Sequence, residues 1–218
     1  MAASDYIDTI QKAYIAFYQR PADPAGLEFW TERLDAEGGN LDAMIDAFGN
    51  SAETESLYGE INAETIGEVI DSIYQSLFGR APDAAGKQFY IDGFNAGTFS
   101  AASLAMNIID GATGLDKVAI DNKIEAANAF TGAIVDNSME DFIYRGDVAA
   151  QDARDWLARV NSDQSTRVPT SEDLRFVPVN NTKADFFTLK EAVESVSETT
   201  ITVIPGETTS ETIITTLD

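Results

Sequence analysis

Cysteine and histidine are both absent from the 218 residues. Without them the chain has no disulfide, no thiol nucleophile, no Cys/His zinc site and no Ser-His-Asp relay. The lack of cysteine also suits secretion without oxidative folding. Positive charge is scarce: 14 Lys and Arg stand against 37 Asp and Glu, a formal net charge of -23. Such a chain repels nucleic-acid phosphates and bare anionic lipid, so neither is an expected partner. Its carboxylates suit either a solvated acidic surface or the collection of divalent cations, which prefer oxygen ligands. No apolar run approaches the length of a membrane span, so no membrane insertion is expected. Met1-Ala2-Ala3-Ser4-Asp5-Tyr6 has neither the basic nor the apolar region of a Sec-type signal.

What the chain does contain is a repeated stretch. Phe17-Tyr18-Gln19-Arg20-Pro21-Ala22-Asp23-Pro24-Ala25-Gly26-Leu27-Glu28-Phe29-Trp30 returns as Leu77-Phe78-Gly79-Arg80-Ala81-Pro82-Asp83-Ala84-Ala85-Gly86-Lys87-Gln88-Phe89-Tyr90. Each copy sets an Arg, an Asp three residues on, a Gly three residues later, then an aromatic pair. At the same offset Ile10 matches Ile70 and Tyr14 matches Tyr74, while Met44 and Phe48 match Leu104 and Ile108. Internal repetition of this kind is the first feature to read in a fold.

The periodicity predicts helices throughout this region. Ser4 suits an N-cap for a helix through about Tyr18, with Ile7, Ile10, Tyr14 and Phe17 on one face. Asp23-Pro24 opens a second helix: Asp caps, and Pro at the first position leaves no amide unpaired. Phe29, Trp30 and Leu34 form its apolar side. Leu41, Met44, Ile45 and Phe48 make a third, short helix, and the polar stretch Ser51 to Gly59 is a possible fourth. The pattern restarts with Ile66, Ile70, Ile73 and Leu77, ended by Gly79 as a left-handed cap. Asp83 caps the next helix, and Ser100 the one that carries Leu104 and Ile108. Two further helices are expected, from about Asp116 with Ile120, Ile124, Phe130 and Ile134, and from about Asp147 with Ala149, Ala153, Trp156 and Val160.

The expected class is therefore all-α. It is a multi-helix bundle over residues 1–168, with repeats at about 6–56 and 66–116 and a third helical region at about 117–168. Residues 169–218 form a linker or β-prone tail. Eight Thr lie between Thr199 and Asp218, and Ile201–Ile204 and Thr212–Thr215 flank a Pro205-Gly206 turn signal. The tail is read as leading to a further region downstream of Asp218.

Arg20, Asp23, Gly26 and Trp30, with Arg80, Asp83, Gly86 and Tyr90, are first a structural motif. A cation suits a helix C-terminus and an anion an N-terminus, and the two can bond across the turn. Gly permits close approach of a neighbouring ring, and Phe29 with Trp30 fills the helix seam. The alternative is a glycan-binding corner, with Trp30 and Tyr90 stacking on sugar faces. A metal reading falls on Asn161, Asp163, Ser165 and Glu172, at positions 1, 3, 5 and 12 of a calcium-loop spacing. Thr166, where that loop needs Gly, together with Arg167 and Pro169, makes a poor calcium loop. Calcium is thus a possible cofactor, with none certain. Acid pairs such as Asp35/Glu37 or Glu140/Asp141 do not single out a catalytic centre, and no enzyme is expected.

The pattern Tyr-x-x-Phe/Leu-x-x-Arg-x-x-Asp-x-x-Gly-x-x-Phe-Trp/Tyr resembles the DUF4214 repeat of bacterial secreted and surface proteins. Asp121 to Thr131, with Trp156-Leu157 and Asn161-Ser162-Asp163, is similar to the helical region that follows such repeats in S-layer and RTX-type proteins. The resemblance implies a cell-surface, extracellular protein exported by type I secretion without an N-terminal signal. It implies an anchoring module that binds lipopolysaccharide or another surface polysaccharide, and possible self-association in a lattice. The Gly-Gly-x-Gly-x-Asp calcium repeats of RTX proteins do not occur in these residues. The other reading is a helical protein–protein or scaffold module of a type I-secreted adhesin or RTX protein.

Overall fold

The computed structural model describes residues 6–136 and 146–163, together with the backbone of four short strands further along the chain. Its first helix, α1 (Ile7–Tyr18), is the hub. Ile10, Tyr14 and Phe17 are buried, as periodicity predicts, while Ile7 is half-buried; Gln11, Ala13, Ile15, Ala16 and Tyr18 are buried as well. A helix buried on nearly all sides belongs inside the bundle. At its end Gln19 takes φ 59°, a left-handed cap without glycine. Its side-chain Nε2 donates to the Tyr58 hydroxyl at 3.1 Å, which donates to the Ala16 carbonyl at 3.1 Å. That chain of bonds holds a conformation that costs a non-Gly residue roughly 1 kcal/mol or more.

The remaining helices follow from their caps. Asp23 accepts from the Gly26 amide at 2.8 Å, and Pro24 begins α2 (Pro24–Ala36). Short α3 (Asp42–Gly49) leads to α4 (Ala52–Tyr58), where Ser51 accepts from the Thr54 amide at 3.2 Å. Helix α5 (Ile66–Phe78) ends at Gly79, φ 67°. Asp83 accepts from the Gly86 amide at 2.8 Å to start α6 (Ala84–Asn95). The next helix starts later than expected. Ser100 closes a turn by accepting from the Ser103 amide at 3.0 Å, and α7 runs Leu104–Asp110 with Ser103 at its N-cap position. Long α8 (Gly114–Asp136) and α9 (Gly146–Ala158) complete the body.

The class is all-α. Among the described residues the body has nine helices and no strand. Beyond it the backbone pairs Arg175–Phe176 with Phe187–Thr188 and Thr199–Ile201 with Ile214–Thr216, both antiparallel. The expected Ser4 cap lies outside the described residues.

One hydrophobic core joins α1 to α9. Around α1 sit α2, α3, α4, α5, α7 and α8, and α5 in turn packs on α6, α7 and α8. Phe48 is the aromatic centre: its ring lies 5.0 Å from Tyr14, 5.8 Å from Phe17, 4.7 Å from Tyr18 and 5.3 Å from Trp30. Such pairs add roughly 0.5–1.5 kcal/mol each beyond the area they bury. Helix α9 stacks Trp156 on Phe130 at 5.2 Å. The expected seam residue Phe29 behaves otherwise: it is 53% exposed, and its counterpart Phe89 60%. Both project outward from α2 and α6, and the seams are filled instead by Trp30 and Leu34 from α2 and by Tyr90, with Ile91 and Phe94, from α6.

Candidate functional site

The repeated motif builds two corners of closely matched geometry. At the first, the Arg20 guanidinium lies 5.3 Å and 5.4 Å from the Tyr14 and Tyr18 ring centres. At the second, Arg80 lies 5.5 Å and 5.9 Å from Tyr74 and Phe78. Each Arg donates to the next residue's carbonyl, Pro21 at 3.2 Å and Ala81 at 2.8 Å. Each then reaches a carboxylate on a helix first turn. Arg20 binds Glu53 of α4 from Nε at 2.7 Å and Nη2 at 3.0 Å. Arg80 binds Asp116 of α8 from Nε at 3.0 Å and again from Nη2. Both forks are bidentate, and the anion sits where the helix dipole favours it.

The pairing expected within the motif is the weaker one, an ion pair without a hydrogen bond at the first corner. Arg20 Nη1 stands 3.7 Å from Asp23 Oδ2, beyond hydrogen-bonding distance. Asp23 and Asp83 spend an oxygen on the amide of the following Gly instead. Sequence spacing pointed to the near carboxylate because Glu53 and Asp116 lie 33 and 36 residues away. Only the packing of the fourth helix of each set brings them in.

The glycines differ between the corners. A Cβ on Gly26 would come within 2.0 Å of the buried Tyr14 hydroxyl, so close approach of a ring is realised there. At Gly86 the nearest neighbour of a Cβ is 3.5 Å away, an ordinary contact.

Trp30 and Tyr90 do not offer sugar-stacking faces, because both are buried. Trp30 packs on Phe48, with Arg33 at 5.7 Å over its ring. Tyr90 donates its hydroxyl to the Asn107 carbonyl at 3.2 Å. Burial, then the nearby Tyr74 and Asp110, push that hydroxyl's pKa up to about 12. The exposed rings are their neighbours. Phe29 lies 5.0 Å from Trp30 at 82°, and Phe89 lies 5.2 Å from Tyr90 at 79°. Both Phe rings stand edge-on to a buried aromatic, and Phe89 also lies 5.6 Å from Phe99. Helical periodicity assigned them to the apolar side, and only the position of the neighbouring helices leaves them uncovered.

Three buried polar groups carry no signal in the sequence. Gln11 donates to the Ala127 carbonyl at 3.2 Å and to Thr131 Oγ1 at 2.9 Å, and accepts from the Ala22 amide at 2.9 Å. Thr131 donates to the Ala22 carbonyl at 2.7 Å, so α8 is bonded to both α1 and the first corner. Lys123 is buried and donates from Nζ to the Leu157 carbonyl at the end of α9. Burial pushes its pKa down to about 8. A cation at a helix C-terminus meets a favourable dipole. Arg154 of α9 donates from Nε to the Tyr18 carbonyl at 2.9 Å and from Nη2 to Glu53.

Of the candidate calcium ligands, Asn161 and Asp163 are described, and Ser165 and Glu172 lie outside the described residues. Asn161 Oδ1 accepts from the Asp163 amide at 2.7 Å, an Asx turn, and its carbonyl accepts from Asn122 Nδ2 at 2.8 Å. Among the described residues no group of three or more Asp or Glu is placed to hold a metal ion. Of the acid pairs, Asp35 and Glu37 close the end of α2, where Glu37 pairs with Arg33 at 3.1 Å. Glu140 and Asp141 lie outside the described residues. Among those residues no helix is long and apolar enough to cross a membrane.

Residues 45–112 match a domain of unknown function, DUF4214. The match begins within α3 and ends just after α7, so it contains the motif copy from Arg80 to Tyr90 but not its partner Asp116, and it takes in Glu53 while leaving the copy from Arg20 to Trp30 outside. No curated protein and no solved structure matches the chain.

Proposed function

We propose that this chain is a non-enzymatic, helical anchoring module of an S-layer-like cell-surface protein, attaching it to the polysaccharide of lipopolysaccharide. The DUF4214 domain supports that setting through the kind of protein the motif resembles. The observation that carries the reading is the pair of outward rings, Phe29 and Phe89. A Phe left half exposed forgoes about half of the roughly 1.5–3 kcal/mol that full burial gives, and this chain does so at two matching positions. A flat apolar ring suits the C–H face of a pyranose, and a series of spaced rings suits a repeating glycan. Charge narrows the glycan. With a net charge of -23, contact falls on neutral sugars of the O-chain or is bridged by a divalent cation such as calcium. Type I export and an extracellular location belong to the same proposal.

The test is co-sedimentation of the full chain with purified lipopolysaccharide, with and without calcium, and with O-chain-deficient material. Binding to the complete form, weakened about tenfold or more in a Phe29→Ala/Phe89→Ala double variant, is the expected result; tenfold corresponds to roughly 1.4 kcal/mol. Equal non-binding throughout, or binding indifferent to both rings, refutes it. Sugar products released in the same incubation would mark a carbohydrate-active enzyme instead. A second reading, a protein–protein module of a secreted adhesin or RTX protein, is favoured by the apolar side chains exposed beside Arg80.

A further inference from the structure

The two arginine corners are built alike and covered unlike. At the first, one carboxylate serves two guanidiniums: Glu53 takes Arg20 from its own corner and Arg154 from α9. Arg154 also caps the end of α1 through the Tyr18 carbonyl. The Arg20 side chain is left only 12% exposed, and Tyr18, Pro21 and Ala22 are buried. At the second corner Asp116 stands in the place of Glu53, and Phe78, the last residue of α5, in that of Tyr18. Among the described residues Asp116 is paired with Arg80 alone, and the Arg80 side chain is 45% exposed. A carboxylate has about four lone-pair sites, so Asp116 keeps room for a second fork.

The rim of this open corner is apolar. Leu115, beside Asp116 at the start of α8, is 74% exposed; Val118 is also exposed and Phe78 half-buried. Further along α5 the surface turns polar. Asp71 and Gln75 stand where α1 has the buried Gln11 and Ile15. A ligand is therefore confined to the end of α5 and the first turns of α8.

We propose that the Arg80 corner is a docking site for an arginine-bearing helix of a partner protein, seated as α9 is seated on the Arg20 corner. Its guanidinium forks onto Asp116 and the last carbonyls of α5, and its apolar side chains cover Leu115 and Val118. Charge selects the occupant. A second copy of a chain carrying -23 is repelled, whereas a cationic partner is attracted and steered. In a second copy, moreover, Arg154 is already committed to its own Glu53. The proposal is independent of polysaccharide binding, and either can fail alone.

A labelled synthetic peptide of residues 146–160, the chain's own α9 made cationic by Asp147→Asn, Asp152→Asn and Asp155→Asn, serves as the probe against the full chain, read by fluorescence anisotropy. The expected result is saturable binding that weakens about tenfold with Asp116→Asn, with Leu115→Ser, and with Arg154→Ala in the peptide, as loss of a charge-assisted fork or an apolar anchor requires. Glu53→Gln in the chain leaves it unchanged. Leu115 is so exposed that its variant folds even if Asp116→Asn does not. Absence of binding, or binding indifferent to Asp116 and Leu115, overturns the proposal. So does binding lost only with Glu53→Gln, which marks exchange with the resident α9. Concentration-dependent dimerisation in sedimentation velocity that is abolished by Asp116→Asn overturns the partner assignment in favour of a second copy.

Discussion

Replacing Glu53 by Gln and Asp116 by Asn removes the same charge from two corners of the same design, yet the losses should differ severalfold. Glu53 anchors Arg20 and Arg154, whose side chains are both largely buried. Hydrogen bonds to charged groups contribute about 1.5–3 kcal/mol each, and breaking a buried pair costs about 3–5 kcal/mol because the orphaned charge stays desolvated. Glu53 itself is partly solvated, which screens the pairs and argues for the lower end. The expected cost of Glu53→Gln is therefore about 3 kcal/mol. Asp116 holds one arginine that is nearly half exposed, a surface pair worth about 0–1 kcal/mol. For a chain of this size, 1 kcal/mol corresponds to about 2–4 °C. Glu53→Gln should lower Tm by about 6–12 °C and Asp116→Asn by no more than about 4 °C. Thermal unfolding followed by Trp fluorescence, which reports Trp30 on α2 and Trp156 on α9, measures both. Equal losses at the two corners, or a larger one at Asp116, would show that the cover provided by α9 does not set the strength of these pairs. A cycle combining Glu53→Gln with Arg154→Ala should recover the part of the Arg154 loss that runs through Glu53, and leave the part due to its bond with the Tyr18 carbonyl.

The glycines give a second contrast. Gly26→Ala should destabilise by about 1–3 kcal/mol, because its methyl would overlap the buried Tyr14 hydroxyl, whereas Gly86→Ala, whose methyl meets only ordinary contacts at a helical position, should be neutral or stabilising by up to about 1 kcal/mol. Thermal melts of the two variants decide it. Lys123 makes stability depend on alkaline pH: its folded pKa of about 8 lies below the ordinary 10.5, so the unfolded chain binds more protons in between. The burial penalty is present in full below pH 8 and is relieved as pH rises, so stability should climb by about 2 kcal/mol from pH 8 to 10 and lose that slope in Lys123→Met. Measurement should stop near pH 10, above which Tyr18, Tyr58, Tyr74 and Tyr90, all with raised pKa, reverse the trend by holding protons that the unfolded chain releases. A flat wild-type profile would mean that water reaches Lys123. Gln11→Leu should cost about 2–4 kcal/mol in urea unfolding, because it leaves the Ala22 amide and Thr131 hydroxyl short of buried partners.

What the sequence determined by itself is local. The Asp23 and Asp83 caps, the Gly79 stop, the helical class and the equivalence of the two motif copies are set by groups within a few residues of one another, and short-range sterics and hydrogen bonding decide them. The same locality explains why Asp23 looked like the partner of Arg20. The true partners, Glu53 and Asp116, are joined only when a fourth helix folds back, and helical periodicity is silent about which helix that will be. The tertiary structure alone decided that Trp30 and Tyr90 are core while Phe29 and Phe89 face outward, since a helix face is apolar or exposed according to what packs on it. It also decided that Gln11, Lys123 and Arg154 are structural anchors, each satisfied by a backbone carbonyl from a distant helix. Above all it separated two corners that read nearly alike. The chain has one α9, and it covers Arg20; burial, charge strength and availability to a partner all diverge from that single act of packing.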